Sequence, residues 1–106
     1  MASKFNIINF WAEKLIELGK FDSIEELLEA NYCFACSFEF ITERCHILPL
    51  SYGGSNEADN LHNLCNLCHK ASEFLTGESY WRWFKKRNII DRHINNMHAW
   101  AAVCQI

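Results

Sequence analysis

The spacing of apolar residues predicts two short helices at the start of the chain. Between Trp11 and Leu18 apolar side chains recur on one helical face, and Gly19 follows as a stop signal. Ser23 and Glu26 have the S-x-x-E spacing of a capping box, which predicts that a second helix begins there and runs to residue 30. We expect both helices to pack over the rest of the core, with an acidic face in solvent.

The middle of the chain has shorter patterns. Apolar and polar residues alternate in the first half of 37–48, which predicts a strand. Residues 51–60 are dense in turn formers and predict a loop, after which 61–64 are long enough for a return strand. Residues 65–75 then carry the apolar stripe of a helix, and Gly77 is expected to end it. The predicted order is strand, loop, strand, helix.

A basic and aromatic run follows at residues 80–87. On a helix most of its aromatic side chains lie near one face together with Arg87, while Arg82, Lys85 and Lys86 spread over another. Two interpretations stay open from the residues alone. The run is either a phosphate-gripping surface or an aromatic core stripe with a solvated basic edge.

Together these patterns predict one α+β domain. The chain has 106 residues and half of them are hydrophobic, which is enough for a modest core that a structural metal would reinforce. We expect a single domain over 1–106, composed of a helical segment (1–32), a central core (33–76) and a helical basic and aromatic segment (77–106). The last segment includes a helical apolar pattern over 89–106 that should pack on the N-terminal helices.

The net charge of −3 is unevenly distributed. Residues 1–32 carry three basic and six acidic residues, and residues 33–73 carry two basic and five acidic residues, so each stretch has a charge of −3. Residues 74–106 carry five basic and two acidic residues, a charge of +3. Only this last third can attract a polyanion.

No apolar run approaches the roughly 18 residues of a membrane span, and Met1 leads into no signal-type apolar run. We therefore expect a cytoplasmic protein with no membrane partner.

Four of the six cysteines form two C-x-x-C pairs: Cys33, Cys36, Cys65 and Cys68. Four thiolates at this spacing favour one tetrahedral structural zinc site. Three disulfides are the alternative for six cysteines in a short chain, but the missing signal sequence and the histidine that directly follows the last pair favour metal in a reducing compartment. Of the two remaining cysteines, Cys45 and Cys104, we interpret Cys104 as a small buried apolar residue.

Around the cysteine pairs lie further polar motifs in a fixed order. The chain has C-x-x-C, then E-R-x-H-I-x-P from Glu43, a Gly53-Gly54 loop, and N-L-x-x-L-C-x-x-C-H from Asn60. In this order and spacing, residues 33–73 resemble the HNH nuclease family, also called ββα-metal or His-Me finger nucleases. The resemblance implies a ββα-metal core stapled by the four-cysteine zinc site and flanked by N-terminal and C-terminal helices.

The resemblance also implies roles for three residues. His46 matches the histidine that acts as general base on the attacking water, and its Nδ1 would need a carbonyl partner to fix the tautomer. Asn60 matches the asparagine that hydrogen-bonds the loop backbone and so orients the base. His69 matches the last histidine, which holds a divalent cation, expected to be Mg²⁺ with Mn²⁺ or Ni²⁺ as substitutes. Products would carry 5′-phosphate and 3′-hydroxyl ends.

One residue departs from the family pattern. The position before the base is most often Asp or His and supplies a metal ligand, whereas this chain has Cys45, a soft ligand poorly suited to Mg²⁺. Three alternatives follow. The ion is held by His69 with water, phosphate oxygens and either Asn60 or a carboxylate such as Glu43 or Glu73; or a thiophilic ion such as Zn²⁺ is used; or the site is impaired.

The function that these observations predict is a metal-dependent DNA endonuclease. We expect phosphate contacts from five basic residues: Arg82, Lys85, Lys86, Arg87 and Arg92. One core cuts one strand, so double-strand cleavage would need a homodimer or two nicks, and loose specificity or a protein partner for targeting is expected. The competing hypothesis is a zinc-stabilised DNA-binding or adaptor module with a decayed nuclease site, and RNA is a third candidate substrate.

Overall fold

The computed structural model describes residues 1–90. The predicted helical pattern over 89–106, the predicted phosphate contact Arg92 and the remaining cysteine Cys104 therefore lie wholly or mainly outside the described residues. The helices and strands of the described part are α1 (Lys4–Glu17), α2 (Ile24–Glu29), β1 (Thr42–His46), β2 (Leu61–Cys65), α3 (Asn66–Ser72) and α4 (Gly77–Lys86). Two 3-10 turns, Leu50–Tyr52 and Ala58–Asn60, lie in the loop between the strands.

The two N-terminal helices are confirmed, and the first is longer than its apolar pattern predicts. It begins at Lys4, seven residues before Trp11, because the hydroxyl of Ser3 accepts a hydrogen bond from the backbone N–H of Asn6 at 3.1 Å and caps the helix. The second helix has the predicted cap, since the hydroxyl of Ser23 accepts from the backbone N–H of Glu26 at 3.2 Å.

The two strands form an antiparallel hairpin in which Thr42 pairs with Cys65 and His46 pairs with Leu61. All five residues of β2 are buried, whereas in β1 the adjacent residues Glu43 and Arg44, which point to opposite faces of the strand, are both exposed. The return strand is therefore where it was predicted, and it is the central element of the fold.

The predicted first strand is wrong in its first half. Residues 37–41 are not part of the hairpin, and within the described residues this stretch pairs only through an isolated bridge between Tyr32 and Glu39. Ser37 has a left-handed backbone conformation, with φ of 64°, because the chain must turn back to close the loop that holds the first cysteine pair. An extended strand cannot pass through that turn.

The helix after the hairpin is also shorter than predicted. It ends at Ser72, and Gly77 does not end it but begins α4, where Thr76 and Ser79 form a capping box. The order of two strands and a helix is confirmed, and so is the α+β fold class with a ββα core. No helix in residues 1–90 combines the length and apolar character needed to cross a bilayer.

The core contains a buried histidine enclosed by aromatic rings. His62 in β2 is fully buried, and its ring centroid lies 4.4 Å from that of Phe84 and 4.6 Å from that of Trp11. Its Nδ1 lies 2.6 Å from the hydroxyl of Tyr80, while its Nε2 has no hydrogen-bond partner among residues 1–90. Burial, with a smaller effect from the charge of Lys20, lowers the pKa of His62 to about 3.

This environment predicts a pH-dependent stability. The folded state rejects the proton that the unfolded chain accepts below its ordinary pKa of 6.5, so the stability is complete above that pH and falls as the pH drops towards 3. We expect a loss of up to about 1.4 kcal/mol per pH unit in that window. The free energy of urea unfolding of the zinc-loaded protein, measured at pH values from 7 to 5, checks it.

The matched control for this prediction is His62→Gln, which keeps a hydrogen-bonding side chain but does not titrate. The difference in unfolding free energy between the two proteins at each pH removes the contributions that carboxylates and the metal make to the pH dependence. Equal slopes for the wild type and the variant would contradict the assignment.

Candidate metal centre and active site

The four cysteines of the two C-x-x-C pairs converge on one point. Cys33 and Cys36 lie in the turn before β1, Cys65 ends β2, and Cys68 is in α3. Their sulfur atoms all lie within 4.8 Å of one another, and the Sγ atoms of Cys36 and Cys65 are 3.9 Å apart. All four are buried, and none of the described cysteines is in a disulfide. A closed, all-sulfur tetrahedral set fits a structural zinc ion.

The close packing of the sulfurs divides their pKa values. Hydrogen bonds from neighbouring thiols, that of Cys33 first, lower the pKa of Cys36 to about 7 and also lower the pKa of Cys65. The same contacts raise the pKa of Cys33, that with Cys36 first, and raise the pKa of Cys68, where Cys33 lowers it but Cys36 and Cys65 together outweigh that effect. A bound Zn²⁺ would deprotonate all four thiols. Four thiolates around Zn²⁺ carry a net charge of −2, which needs a compensating cation in a buried site.

Arg87 supplies that cation. Its Nε donates to the Sγ of Cys68 at 3.3 Å, and its guanidinium lies 5.7 Å from the ring centroid of Trp83. The ammonium of Lys20 donates to the carbonyl oxygens of Ala35 at 2.7 Å and Arg87 at 2.8 Å, which joins α4 to the cysteine turn. Arg87 was predicted to contact phosphate, but its side chain is only 8% exposed and faces the sulfur cluster, so the structure disfavours that role.

The histidine that ends β1 is held by an asparagine that the sequence analysis did not single out. The Nε2 of His46 lies 2.8 Å from the Oδ1 of Asn56. An amide oxygen only accepts, so Nε2 carries the proton and Nδ1 keeps its lone pair. The expected carbonyl partner on Nδ1 is replaced by this side-chain contact on the other ring nitrogen. Asn56 is itself fixed, because its carbonyl oxygen accepts from the N–H of Ala2 at 2.8 Å.

Asn60 clamps the loop that follows β1. Its Oδ1 accepts from the N–H of Leu48, and its Nδ2 donates to the carbonyl oxygens of Leu48 and Ser55, all at 2.9 Å. These are the loop-bracing contacts that the sequence analysis expected. Gly54 is needed beside them because a Cβ there would collide with the Leu48 carbonyl group and crowd the Asn60 amide.

A carboxylate of β1 fixes the histidine of α3. The Nδ1 of His69 lies 2.5 Å from the Oε2 of Glu43, and both side chains are about half exposed. Cys45, two residues after Glu43 and so on the same face of β1, completes a group whose ligand atoms lie within 4.8 Å of one another. Burial, with a smaller effect from the charge of Glu43, raises the pKa of Cys45 to about 12.

His46 and His69 line one small cavity of about 70 Å³, together with Cys45, Glu73 and Tyr80. Beside it lies an open groove of about 480 Å³, which shares His69 and Glu73 with the cavity and also contacts Glu43. The structure therefore brings together the two predicted histidines, whereas Asn60 braces the loop beside them.

The predicted phosphate contacts on α4 separate into two groups. Arg82, Lys85 and Lys86 are exposed, whereas Arg87 faces inward. Lys85 and Lys86 line a groove together with Cys36. This groove is distinct from the cavity that the two histidines line. Helix α4 contributes Tyr80 to that cavity, so it touches both regions.

Two residues of this region gave little signal in the sequence. Asn56 lies in a loop dense in polar turn formers, where a functional asparagine resembles a structural one. Glu43 appeared only as one of two candidate carboxylates. Glu43 and Cys45 are two residues apart on β1, so their side chains lie on the same face of the strand. With the correct strand boundary, this spacing is the signal that places both on the face towards α3.

The sequence model of a known family, described as HNH endonuclease, matches residues 33–74 of the chain. No curated protein and no solved structure matches the chain. The matched segment covers both cysteine pairs, the hairpin and α3. The resemblance inferred from the motifs is confirmed for this segment.

The four-sulfur site predicts that removing zinc unfolds the core. We expect one zinc ion per chain that is retained after dialysis against metal-free buffer, and we expect a strong chelator or Cys68→Ser to abolish cooperative thermal unfolding, since a structural zinc contributes roughly 10 kcal/mol or more. Metal analysis and circular dichroism check both points. Cys45→Ser is the matched control, because it removes a buried sulfur outside the four-cysteine cluster. Full zinc content in Cys68→Ser would contradict the ligand assignment.

Proposed function

We propose that the protein is a metal-dependent endonuclease that hydrolyses phosphodiester bonds of DNA, with His46 as the general base and a divalent cation held at His69. The observation that carries the proposal is the shared cavity of about 70 Å³, which has these two imidazoles in its lining. The match of the HNH endonuclease family model over residues 33–74 supports the same reaction class.

The hydrogen bond to Asn56 prepares His46 for proton transfer. With Nε2–H donated to the amide oxygen, the lone pair of Nδ1 is the group that takes a proton from the attacking water. The resulting imidazolium keeps the same hydrogen bond, which becomes charge-assisted and stronger. Asn56 is thus a positioning residue that sets the tautomer and stabilises the charged form.

The bracing of the loop by Asn60 keeps this geometry rigid. Its three hydrogen bonds fix the backbone on both sides of the 3-10 turn Leu50–Tyr52, and the N–H of Ile47 donates to the Asn60 carbonyl oxygen at 2.9 Å. Because Ile47 directly follows His46, this contact holds the backbone from which the base projects.

On the other wall, Glu43 orients His69 through the hydrogen bond to Nδ1 and leaves Nε2 as the ligand atom. A cation bound there would stabilise the negative charge that develops on the phosphate and the departing 3′ oxygen. The expected products are 5′-phosphate and 3′-hydroxyl ends.

The DNA contact proposed for α4 rests on Arg82, Lys85 and Lys86, which are exposed. Arg87 is left out because it faces the sulfur cluster. Nicking is the activity of one core, and double-strand cleavage requires a homodimer or a partner. A single domain over 1–106 and a cytoplasmic location stay predictions.

A second candidate function is a zinc-stabilised DNA-binding or adaptor module without catalysis. The observation that favours it is Cys45, a buried thiol with its Sγ 3.5 Å from the carbonyl oxygen of Glu43, at a position where the family most often has Asp or His as a metal ligand. This candidate keeps the zinc core and the basic helix but loses the cation at His69.

Plasmid nicking tests the nuclease. Supercoiled plasmid incubated with Mg²⁺, Mn²⁺, Ni²⁺ or Zn²⁺ should be converted to the open circle, and His46→Ala should slow the conversion by roughly 100-fold or more because the general base is lost. Asn56→Ala should give a smaller loss and a shifted pH–rate profile, since it changes the stability of the imidazolium. A structured RNA in parallel reactions tests the third substrate class.

His46→Ala and Asn56→Ala must both contain as much zinc as the wild type, so that a loss of nicking is not caused by loss of the zinc core. Unchanged nicking in His46→Ala would refute the assignment of the base. Binding without nicking under every ion would instead support the second candidate function.

The exposed lysines of α4 predict a defined salt dependence. Lys85→Ala/Lys86→Ala should reduce the slope of log K against log salt by about 1.8, because two phosphate contacts are removed. Lys14→Ala on α1 is the charge control and should leave the slope unchanged, as its exposed ammonium pairs with Glu17 at 3.9 Å. A slope that does not change in the double variant would remove α4 from the DNA interface.

A further inference from the structure

The group formed by Glu43, Cys45 and His69 has the composition of a second metal site. Glu43 and Cys45 alternate on β1, and α3 packs its His69 against the same face. One ligand atom from each residue lies within 4.8 Å of the other two. Ligand atoms on a single Zn²⁺ are at most about 4.4 Å apart, the sum of the Zn–S and Zn–N bond lengths, so the three side chains are already near ligand spacing.

The hydrogen bonding of His69 fits metal binding through its free nitrogen. Nδ1 is occupied by the Glu43 carboxylate at 2.5 Å. Metal-bound histidines commonly donate their other ring N–H to a carboxylate, which fixes the ring and raises the basicity of the ligand nitrogen. Glu43 acts in this way or as a ligand itself, and in both cases it is part of the site.

The donor set distinguishes between classes of metal. Mg²⁺ prefers near-octahedral oxygen ligands and retains water, whereas sulfur with imidazole suits Zn²⁺ and Co²⁺. An aspartate at position 45 would provide an oxygen ligand. Cys45 instead provides a sulfur within 4.8 Å of the ligand atoms of Glu43 and His69, and it lines the same cavity as His46 and His69.

We propose that Glu43, Cys45 and His69 form a binding site for a thiophilic divalent ion such as Zn²⁺ or Co²⁺, which they bind in preference to Mg²⁺. The interpretation of this site as the catalytic metal site rests on the proposed function, because the bound ion would act beside His46 in the nuclease reaction. On coordination the Cys45 thiol loses its proton to solvent and binds as thiolate. At most three protein ligands leave a position open for water or a phosphate oxygen, as in catalytic zinc sites.

This site is separate from the four-cysteine cluster. Cys45 belongs to neither C-x-x-C pair, and the two ligand groups share no residue. The four-cysteine cluster is buried and closed, whereas Glu43 and His69 are about half exposed beside a groove of about 480 Å³. Exchange of the ion with solvent is therefore expected only at the second site.

Cobalt titration of the zinc-loaded protein tests the proposal. Co²⁺ added to protein that already holds one zinc ion should produce a sulfur-to-cobalt charge-transfer absorption, with one ion bound per chain and no release of zinc in metal analysis. Cys45→Ser should lose this absorption and bind Co²⁺ more weakly by more than about tenfold. Glu43→Gln should keep the absorption but weaken the binding.

Cys45→Asp is the matched ligand exchange. It should lose the charge-transfer absorption and shift the preference from Co²⁺ towards Mg²⁺ and Mn²⁺, as measured by competition titration. If this larger change prevents zinc loading, Cys45→Ser carries the test alone. An absorption of equal strength in the wild type and Cys45→Ser, or tighter binding of Mg²⁺ than of Co²⁺ by the wild type, would overturn the proposal.

The outcomes for the ion and for catalysis can be separated. Cobalt bound through Cys45 without nicking under any ion would support the metal site and reject the nuclease. Nicking with Mg²⁺, together with no thiolate absorption, would support the nuclease and reject the thiophilic site.

Discussion

The convergence of four buried sulfurs is the constraint on which the rest of the structure depends. It connects the turn before β1, the end of β2 and the first turn of α3. The backbone reinforces the connection, since the N–H of Phe34 donates to the carbonyl oxygen of Asn63 at 2.8 Å. A chain of this length buries a limited apolar area, so a metal bound by four thiolates would contribute a large share of the free energy that holds the hairpin against the helix.

Everything in the candidate active site is positioned from that junction. Cys68 and His69 are adjacent in α3, so the sulfur that anchors the helix also determines where the imidazole lies relative to the hairpin. Across the cavity, β1 is held to β2 by the pairing of Thr42 with Cys65 at one end and of His46 with Leu61 at the other. Helix α1 supports the far end of the loop, because the indole N–H of Trp11 donates to the carbonyl oxygen of Ala58 at 2.8 Å. Both imidazoles thus belong to rigid elements, which favours a preorganised site.

The sequence was most informative where residue type and spacing act together. The cysteine pairs, the capping box at Ser23 and the turn-rich loop were placed well because each depends on local geometry. The strand boundary was missed because alternation over 37–42 cannot reveal that Ser37 must adopt a left-handed conformation to close the cysteine turn. The pairing of His46 with Asn56 and of Glu43 with His69 depends on the register of the hairpin and the docking of α3, neither of which a linear pattern contains.

Arg87 illustrates how the zinc core and the basic helix constrain each other. A thiolate-bound zinc ion adds two negative charges to a stretch that already carries −3, and such a field repels a polyanion within about 10 Å at ordinary salt. One arginine turned inward onto Cys68 offsets part of this charge where dielectric screening is weakest. Its exposed neighbours Lys85 and Lys86 then face solvent on the groove above a partly neutralised cluster. The inward arginine and the outward lysines therefore have complementary electrostatic effects, and the sequence Lys-Lys-Arg cannot be treated as three equivalent charges.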